Sequence, residues 1–403
     1  MKKFLLIFLL TISVFLLADK PYVLVVSFDG FRYDYTEKTD TPNFDYLQEN
    51  GTKAKSLQPI FPSKTFPNHY AIATGSYTET HGLVANHFYS RKHKDVYTMK
   101  DKEKVRDPKW YGAEPIWVTA ERQNVKTASY FWVGSEAPIG GYLPSIVKQY
   151  HHDFPYEARV DSVLSWLQLP EEKRPHLIML YFDEPDSGGH KFGPENPELI
   201  PIIKKMDSIL GKVINGIQEL EIADQINLIL LSDHGMTTVK KGQTINLNDY
   251  IPDPEIWHPY FGGPVVQLTL KTDSRKLESD LFLKLKSIPH IKIYEYDTLP
   301  ERFHFKSLDA GDFILVAEEG WTLTTSDDPY DSMATHGYDP KLKNMQGIFY
   351  AMGPNIKANH QMDTFENIHI YPFICKLLQI EPYRNLFNGP DGKLEVLEGI
   401  LEK

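Results

Sequence analysis

The chain has 403 residues, of which 41% are hydrophobic and 24% are charged, so it is long enough to bury a large core. Its 25 glycines and 28 prolines are close to average usage, which excludes a collagen-like, low-complexity or wholly disordered chain. The formal net charge of −11 argues against a protein that binds nucleic acid through a basic surface. An anionic substrate must therefore be held by local groups.

The N-terminus has the pattern of a secretory signal. Lys2 and Lys3 precede an apolar run over residues 4–17, and Ala18 comes before the next charged residues. That run is shorter than the ~20 residues that a bilayer span needs. We predict a signal peptide over residues 1–18, with an uncleaved N-terminal anchor as the alternative. Residues 19–403 are then one exported domain, periplasmic or secreted, with no stable membrane span.

Short apolar runs alternate with helical patterns along the chain. Strands are predicted at residues 23–28, 126–131, 177–182, 227–232 and 347–352. Helices are predicted at residues 42–50, 157–167, 198–220, 274–286 and 367–378. This order predicts an α/β sandwich with a mostly parallel central sheet and helices on both faces.

Two further features concern the C-terminal part of the chain. Runs at residues 265–270, 291–296 and 313–316 predict a small β-rich lateral subdomain over approximately residues 253–330. Cys375 is the only cysteine, so no intrachain disulfide can form. Its apolar neighbours favour a core residue over a catalytic thiol.

Acidic residues follow three of the predicted strands directly. They are Asp29 after the first strand, Asp183 and Asp186 after the third, and Asp233 after the fourth. Ligands of open α/β sheets bind beyond the carboxyl ends of the strands, so these acids are expected to converge. Taken alone, an Asp-Gly pair after a strand is more often a turn than a site.

Histidines accompany these acids. His190 comes four residues after Asp186, His234 is next to Asp233, and His336 lies in an Ala-Thr-His-Gly segment. Neighbouring carboxylates repel one another unless they are protonated or bridged by cations. Mixed imidazole and carboxylate ligands suit Zn²⁺, whereas Mg²⁺ and Ca²⁺ prefer oxygen ligands. Six such side chains are enough for two metal ions.

A candidate nucleophile lies in the segment Pro-Ser-Lys64-Thr65-Phe66-Pro-Asn-His. A helix over residues 67–74 leaves Thr65 at or just before a helix N-terminus, where free N–H groups favour an anion. Taken alone, Thr65 would be a helix cap and Lys64 a solvated side chain.

Together, the ordered motifs resemble those of the nucleotide pyrophosphatase/phosphodiesterases of the alkaline phosphatase superfamily, over nearly all of the exported chain. The motifs are Ser-Phe-Asp29-Gly-Phe-Arg, Pro-Ser-Lys-Thr65-Phe-Pro-Asn-His, Thr-His-Gly-Leu-Val-Ala-Asn86, Tyr-Phe-Asp-Glu-Pro-Asp186-Ser-Gly-Gly-His190, Ser-Asp233-His234-Gly-Met and Thr-His336-Gly-Tyr. The resemblance implies an alkaline-phosphatase-like fold.

The resemblance also implies two zinc ions. One zinc ion is held by Asp186, His190 and His336. The other is held by two carboxylates, one imidazole and the hydroxyl oxygen of the nucleophile, which are those of Asp29, Asp233, His234 and Thr65. In this reading Thr65 attacks a phosphodiester or pyrophosphate bond of a nucleotide. A covalent phosphothreonine forms, and a nucleoside 5′-monophosphate is released.

The same resemblance assigns the substrate-binding residues. Asn86 and the backbone N–H groups near Phe66 stabilise the phosphate oxygens, and Lys64 lies beside them. Phe66 and Tyr150 sandwich the base, and Trp132 forms part of the pocket wall. Core packing is the alternative for Tyr150 and Trp132.

Alternative functions stay open from the sequence. A phosphonoacetate hydrolase or a threonine-dependent phosphomonoesterase of the same superfamily would share the metal set. The absence of a Cys/Ser-x-Pro-x-Arg block argues against a sulfatase. A catalytically silent secreted binding protein is the alternative from another class. Among phosphodiesters, a nucleotide, a dinucleotide or a choline ester is compatible with the motifs, and no specific nucleic acid partner is expected.

Overall fold

The computed structural model describes residues 21–402, apart from residue 252, residues 328–330 and residues 385–388. The predicted signal segment, residues 1–18, lies outside the described residues. Within the described ranges, every helix is too short or too polar to cross a membrane.

The strands predicted from apolar runs are present within two residues of their predicted bounds, and the first of them is buried along its whole length. In chain order the strands of the described residues are β1 Tyr22–Phe28, β2 Thr52–Ala54, β3 Leu57–Gln58, β4 His87–Ser90, β5 Asp95–Thr98, β6 Thr127–Tyr130, β7 Ile146–Lys148, β8 Leu177–Phe182, β9 Ile226–Leu231, β10 Thr237–Thr238, β11 Thr244–Asn246, β12 Val265–Leu268, β13 Ile291–Glu295, β14 Phe313–Ala317, β15 Thr322–Thr324, β16 Ala334–Thr335, β17 Phe349–Met352, β18 His360–Met362 and β19 Phe365–Glu366.

The five predicted helices, and the helix expected after Thr65, lie within three residues of their predicted bounds. The helices of the described residues are α1 Pro42–Asn50, α2 Thr65–Thr74, α3 Thr78–His81, α4 Lys102–Arg106, α5 Ile116–Arg122, α6 Tyr156–Leu167, α7 Asp186–Phe192, α8 Ile200–Gln218, α9 Arg275–Leu285 and α10 Ile370–Leu377. Four of them, the short helices α3, α4, α5 and α7, had no prediction. Cys375 is buried within α10, as its apolar neighbours predict.

The central sheet has eight strands in the order β18-β2-β17-β9-β1-β8-β6-β7. Strand β1 pairs in parallel with β8 on one side and with β9 on the other. Only β17 runs against its neighbours, β2 and β9, so the sheet is mixed but mostly parallel. The carboxyl ends of β9, β1 and β8 therefore lie side by side at one edge of the sheet.

Helices cover both faces of this sheet, which explains why its central strands are apolar throughout. Along β1, Val23 and Val25 belong to one hydrophobic core, whereas Leu24 and Val26 belong to the other. This alternation is the two-residue period of a strand. Helices α2, α5 and α10 pack on the first face, and α1, α6 and α8 pack on the second.

A separate three-stranded sheet, which we call the lateral sheet, has the order β12-β14-β13 and antiparallel pairing. Helix α9 packs on it through Leu281 and Leu285, which join a third hydrophobic core with Leu268, Phe313 and Leu315. These elements lie in the region where the sequence predicts a lateral subdomain. The division of the chain at residues 253–330 remains a prediction.

Asn68 fixes the start of helix α2, and with it the position of Thr65. Its Oδ1 accepts hydrogen bonds from the Ile60 N–H at 2.7 Å and from the Asn367 amide at 2.9 Å. Its Nδ2 donates to the carbonyls of Pro62 and Lys64 at 3.0 and 2.8 Å. One buried side chain thus joins the helix to the loop that precedes it.

We predict that Asn68→Ala lowers the free energy of unfolding by about 3 kcal/mol, because it leaves buried polar groups without partners. Urea denaturation followed by circular dichroism measures the change. The matched control is Asn50→Ala, at the exposed end of α1, with an expected loss below about 0.5 kcal/mol. Equal losses from the two variants would contradict the role assigned to Asn68.

Candidate active site

Three carboxylates meet beyond the carboxyl ends of β9, β1 and β8. Asp29 follows β1, Asp186 begins α7 shortly after β8, and Asp233 follows β9 by one residue. Gly30 permits the close approach, because its φ is +65° and a Cβ there would lie 2.8 Å from the Asp186 Cβ. Asp183 is held apart by an ion pair of 3.3 Å with buried Arg159. The convergence expected from the sequence is thus present in the structure.

Three histidines lie next to these carboxylates, and the Nδ1–H of each donates a hydrogen bond to a backbone carbonyl. The Nδ1–H of His190 donates to the Ala334 carbonyl at 2.8 Å, and that of His234 to the Gly235 carbonyl at 2.8 Å. The Nδ1–H of His336 donates to the Ser63 carbonyl at 2.9 Å. A carbonyl can only accept, so each Nε2 keeps a lone pair and is free to bind a metal ion.

The acids and histidines form overlapping groups that could hold a metal ion. One group is Asp186, His190 and His336, and another is Asp29, Asp186 and His234. Within each group the potential ligand atoms lie within 4.8 Å of one another. The Nε2 of His234 lies 3.3 Å from Asp29 Oδ1 and 3.1 Å from Asp233 Oδ2. All six side chains singled out from the sequence therefore lie in one cluster.

Each carboxylate keeps one buried oxygen free. Asp29 Oδ2 accepts from the Tyr181 hydroxyl at 2.6 Å, and Asp233 Oδ1 accepts from the Gly30 N–H at 3.2 Å. By contrast, Asp29 Oδ1, Asp233 Oδ2 and Asp186 Oδ1 are buried and accept no hydrogen bond from a described residue. Buried carboxylate oxygens without partners are costly, and a bound cation would satisfy all three. This donor set fits metal ions.

The pKa shifts in the cluster are also those expected of a metal-binding site. Burial raises the pKa of Asp29, and the charges of Asp233 and Asp186 raise it further. Burial likewise raises the pKa of Asp233 and of Asp186. Burial lowers the pKa of His234 and of His336, which keeps both imidazoles neutral, the form that binds metals. The protein environment alone thus disfavours three charged carboxylates, and cations would offset that cost.

Thr65 is the first residue of α2, as its position before the helical pattern predicts. Its Oγ1 lies 3.2 Å from His234 Nε2, so the hydroxyl touches the cluster. Asn86 Oδ1 accepts from the Phe66 N–H at 3.0 Å, which fixes the amide beside the helix start. The Phe66 N–H thus already has a partner in Asn86, and the expectation that N–H groups near Phe66 contact a phosphate stays a prediction. The Asn86 Nδ2 is the donor that this arrangement leaves for a ligand.

A cavity of about 490 Å³, which we call the large cavity, opens beside Thr65. Phe66, Trp132 and Tyr150 line it, as do Asp29 and Asp186 at the cluster end. Tyr150 is 38% exposed and belongs to no core, so core packing does not account for it. Trp132 is buried within a core, and its Nε1 donates to the His69 carbonyl at 3.1 Å. Trp132 therefore serves both as core and as cavity wall.

Lys64 lies on the other side of the helix start. It is half-buried, and burial lowers its pKa to about 8. A Cβ on Gly337, whose φ is +118°, would lie 2.5 Å from the Lys64 Cε. The side chain thus runs against the backbone next to His336. Lys64 is therefore not a freely solvated side chain, and its assignment to substrate binding stays a prediction.

Two residues of the site carry no assigned role in the sequence analysis. Tyr181 binds Asp29, and His69 donates from Nδ1 to the Thr65 carbonyl at 3.0 Å, with Asp233 Oδ2 3.3 Å away. His69 Nε2 pairs with the Ser27 hydroxyl at 2.9 Å, so both of its nitrogens have protein partners. The spacing of His69 four residues after Thr65 places both on one face of α2 and is the signal that could have found it.

Comparison with known proteins agrees with this geometry. Residues 23–339 match the family model described as type I phosphodiesterase / nucleotide pyrophosphatase. The human ectonucleotide pyrophosphatase/phosphodiesterase family member 1 is 38% identical over 94% of this chain and 42% of its own length. A venom phosphodiesterase of Naja atra is 37% identical over 94% of this chain and 46% of its own length. The chain thus spans less than half the length of these relatives.

Solved structures give the same result over whole chains. The human ectonucleotide pyrophosphatase/phosphodiesterase 5 matches with a TM-score of 0.89 and 30% identity, covering 95% of this chain and 100% of that chain. Its murine counterpart, in an inactive threonine-to-alanine form in complex with AMP, matches with the same TM-score and coverage. The chain belongs to the type I phosphodiesterase/nucleotide pyrophosphatase family.

Proposed function

We propose that the chain hydrolyses phosphodiester or pyrophosphate bonds of nucleotides and their derivatives, and releases a nucleoside 5′-monophosphate. One observation carries this proposal. The hydroxyl of Thr65 touches a cluster of three carboxylates and three imidazoles, and Thr65, Asp29 and Asp186 also line the large cavity with its aromatic walls. The names of the relatives, which include pyrophosphatases and phosphodiesterases, support the same reaction.

The proposal includes two zinc ions per chain. Asp186, His190 and His336 would hold one of them. The other would be held by the two remaining carboxylates, the third histidine and the hydroxyl oxygen of the nucleophile, that is, by Asp29, Asp233, His234 and Thr65. Two such cations would neutralise the carboxylates and would supply electrostatic stabilisation of the charge that develops in an in-line displacement at phosphorus. The mixed nitrogen and oxygen donors favour zinc over magnesium or calcium.

The chemical steps are those of a covalent mechanism. Thr65 Oγ1 gives up its proton to solvent and bonds to phosphorus, while the bond to the leaving group breaks on the opposite side and the departing oxygen takes up a proton from water. The nucleoside 5′-phosphoryl group is then an ester of Thr65. Water hydrolyses this ester, which restores the hydroxyl and frees the nucleoside 5′-monophosphate. The Asn86 amide, oriented by the Phe66 N–H, donates to a phosphoryl oxygen, a contribution of about 3 kcal/mol for a well-placed donor.

The large cavity suits a nucleoside. Its walls include the aromatic side chains of Phe66, Tyr150 and Trp132 together with the nucleophile Thr65. We infer that Phe66 and Tyr150 stack on the two faces of the base and that Trp132 closes the wall. The binding of AMP by the murine relative supports this assignment.

The cavity also separates this function from its rivals. Phosphonoacetate and simple phosphomonoesters lack a large apolar group, so they would leave a cavity of about 490 Å³ unfilled. A silent binding protein has no need for a threonine hydroxyl placed 3.2 Å from a cluster imidazole. The signal pattern at residues 1–18 and the ectoenzyme and venom relatives support export of the chain.

We predict two equivalents of zinc per chain, measured by elemental analysis of the purified protein. Chelation is expected to lower the Tm, since a ligand at a hundredfold excess over its Kd adds about 2.7 kcal/mol to native stability. Asp186→Asn is expected to lose metal, whereas Asp183→Asn, after the same strand but outside the cluster, keeps both equivalents. Full activity with one equivalent or fewer would rule out the two-metal proposal.

We predict that Thr65→Ala lowers kcat by at least about a thousandfold, because the nucleophile is lost. The same variant is expected to keep both metal equivalents and to bind AMP, which isothermal titration calorimetry measures. Thr65→Ser retains a hydroxyl and keeps part of the rate. A near wild-type kcat for Thr65→Ala would mean that water attacks phosphorus directly.

We predict that Tyr150→Ala lowers kcat/KM for the p-nitrophenyl ester of thymidine 5′-monophosphate about ten- to a hundredfold, the value of base stacking on an aromatic ring. Methyl p-nitrophenyl phosphate has the same leaving group and no base, so its kcat/KM is expected to change little. Tyr142→Ala, at another exposed tyrosine away from the cavity, is the control. Equal losses for both substrates would make Tyr150 a structural residue.

A further inference from the structure

A second cavity of about 190 Å³, which we call the small cavity, adjoins the metal-binding cluster from another direction. His190 and His336 line it, whereas Asp29, Asp186 and Thr65 line the large cavity. The cluster therefore separates two cavities, and each of them reaches different side chains of the cluster. The proposed function so far places the nucleoside in the large cavity, and of the residues that line the small cavity outside the cluster it uses only Asn86, at a phosphoryl oxygen.

The small cavity has an aromatic wall built from two parts of the chain. His87 comes from β4, and Phe261 comes from the segment that leads into β12 of the lateral sheet. The two rings lie 5.5 Å apart at an angle of 38°. Phe261 is half-buried and stands outside the hydrophobic clusters of the described residues. Its ring is thus available to a ligand rather than required by the core.

His87 contributes a neutral ring to this wall. Its Nδ1 pairs with the Thr98 hydroxyl at 2.6 Å, and burial lowers its pKa to about 4. Tyr89, two residues further along the same face of β4, stacks on His258 with ring centroids 3.7 Å apart. A neutral imidazole beside aromatic rings suits the face of a planar heterocycle better than a highly charged polyphosphate.

The cluster end of the small cavity is cationic. Lys64 lines the cavity, and its Nζ lies against the backbone of Gly263 and Gly337. A Cβ at Gly263 would lie 3.2 Å from this Nζ, so the glycine leaves room for the ammonium group. A phosphate held by Lys64 and the cluster histidines would therefore lie in the same cavity as the aromatic wall of His87 and Phe261.

The direction of the reaction connects these observations. In an in-line displacement the leaving group departs on the side of phosphorus opposite to the attacking oxygen. Thr65 lines the large cavity and not the small one, whereas His190 and His336 line the small one. A leaving group that moves away from Thr65 past these histidines enters the small cavity.

We propose that the small cavity binds the leaving half of a dinucleotide, with its second base against Phe261 and His87 and its phosphate beside Lys64. This proposal rests on the proposed function of the same centre. It gives the lateral sheet a role, because Phe261 and the neighbouring lining residues Gln267 and Thr269 belong to it or lead into it. Residues in or next to the lateral sheet would then determine the preference for a leaving group that carries a base.

The test compares two pyrophosphates that share one half. Diadenosine diphosphate and ADP-ribose both carry adenosine 5′-phosphate, but their leaving groups are AMP and ribose 5-phosphate. Phe261→Ala is expected to lower kcat/KM about tenfold for diadenosine diphosphate, the loss of one base stack. For ADP-ribose the expected change is below about twofold. Leu283→Ala, at an exposed position on α9, is the control and leaves both values unchanged.

The outcomes are separable. A selective loss on diadenosine diphosphate supports the proposal. Equal losses on both substrates would overturn it, because Phe261 would then support the site as a whole. The absence of any loss would also overturn it, because the second base would then bind elsewhere.

A binding measurement keeps the test independent of turnover. If the wild-type chain hydrolyses neither pyrophosphate, the proposed function fails, and the Kd values of the Thr65→Ala chain decide about the small cavity. Isothermal titration calorimetry is expected to show that diadenosine diphosphate binds more tightly than ADP-ribose. In the Thr65→Ala chain, the further substitution Phe261→Ala is expected to reduce the ratio of the two Kd values about tenfold. Equal affinities for the two ligands would overturn the proposal.

Discussion

The structure depends on one constraint, the placement of three buried carboxylates at the ends of three adjacent strands. Burial, together with the negative charges of Asp233 and Asp186, raises the pKa of Asp29. Such an arrangement persists only if the surroundings hold it in place and a counter-charge satisfies it. The fully buried strands β9, β1 and β8 supply the rigidity. Backbone carbonyls that orient the three imidazoles prepare the cluster for the counter-charge.

Much of this could be predicted from the sequence, because the determining signals are local. The apolar run at residues 177–182 corresponds to the strand Leu177–Phe182 of the structure, and Asp29 follows its strand directly. Parallel neighbours then bring acids together without any further information. The signal that places Thr65 at a helix start is also local, since Pro67 and the apolar residues after it define the helix.

Other features depend on contacts between distant parts of the chain and have no local signal. The Phe66 N–H bonds Asn86 only because the segment after α3 returns beside α2. In the sequence, Tyr181 is an ordinary residue of a buried strand. Its hydroxyl reaches Asp29 only because β8 pairs with β1. The antiparallel direction of β17 is equally invisible in an apolar run, because parallel and antiparallel buried strands have similar compositions.

The alternation of β1 between two cores also limits how chains of this kind can change in length. An insertion of one residue within β1 would exchange the side chains of both cores and move Asp29 by about 3.3 Å along the strand. Insertions in the segments between strands, such as the one that carries Phe261, cause no such exchange. Length differences among related chains should therefore accumulate around the rim of the cavities, where they alter substrate range while the metal-binding cluster stays the same.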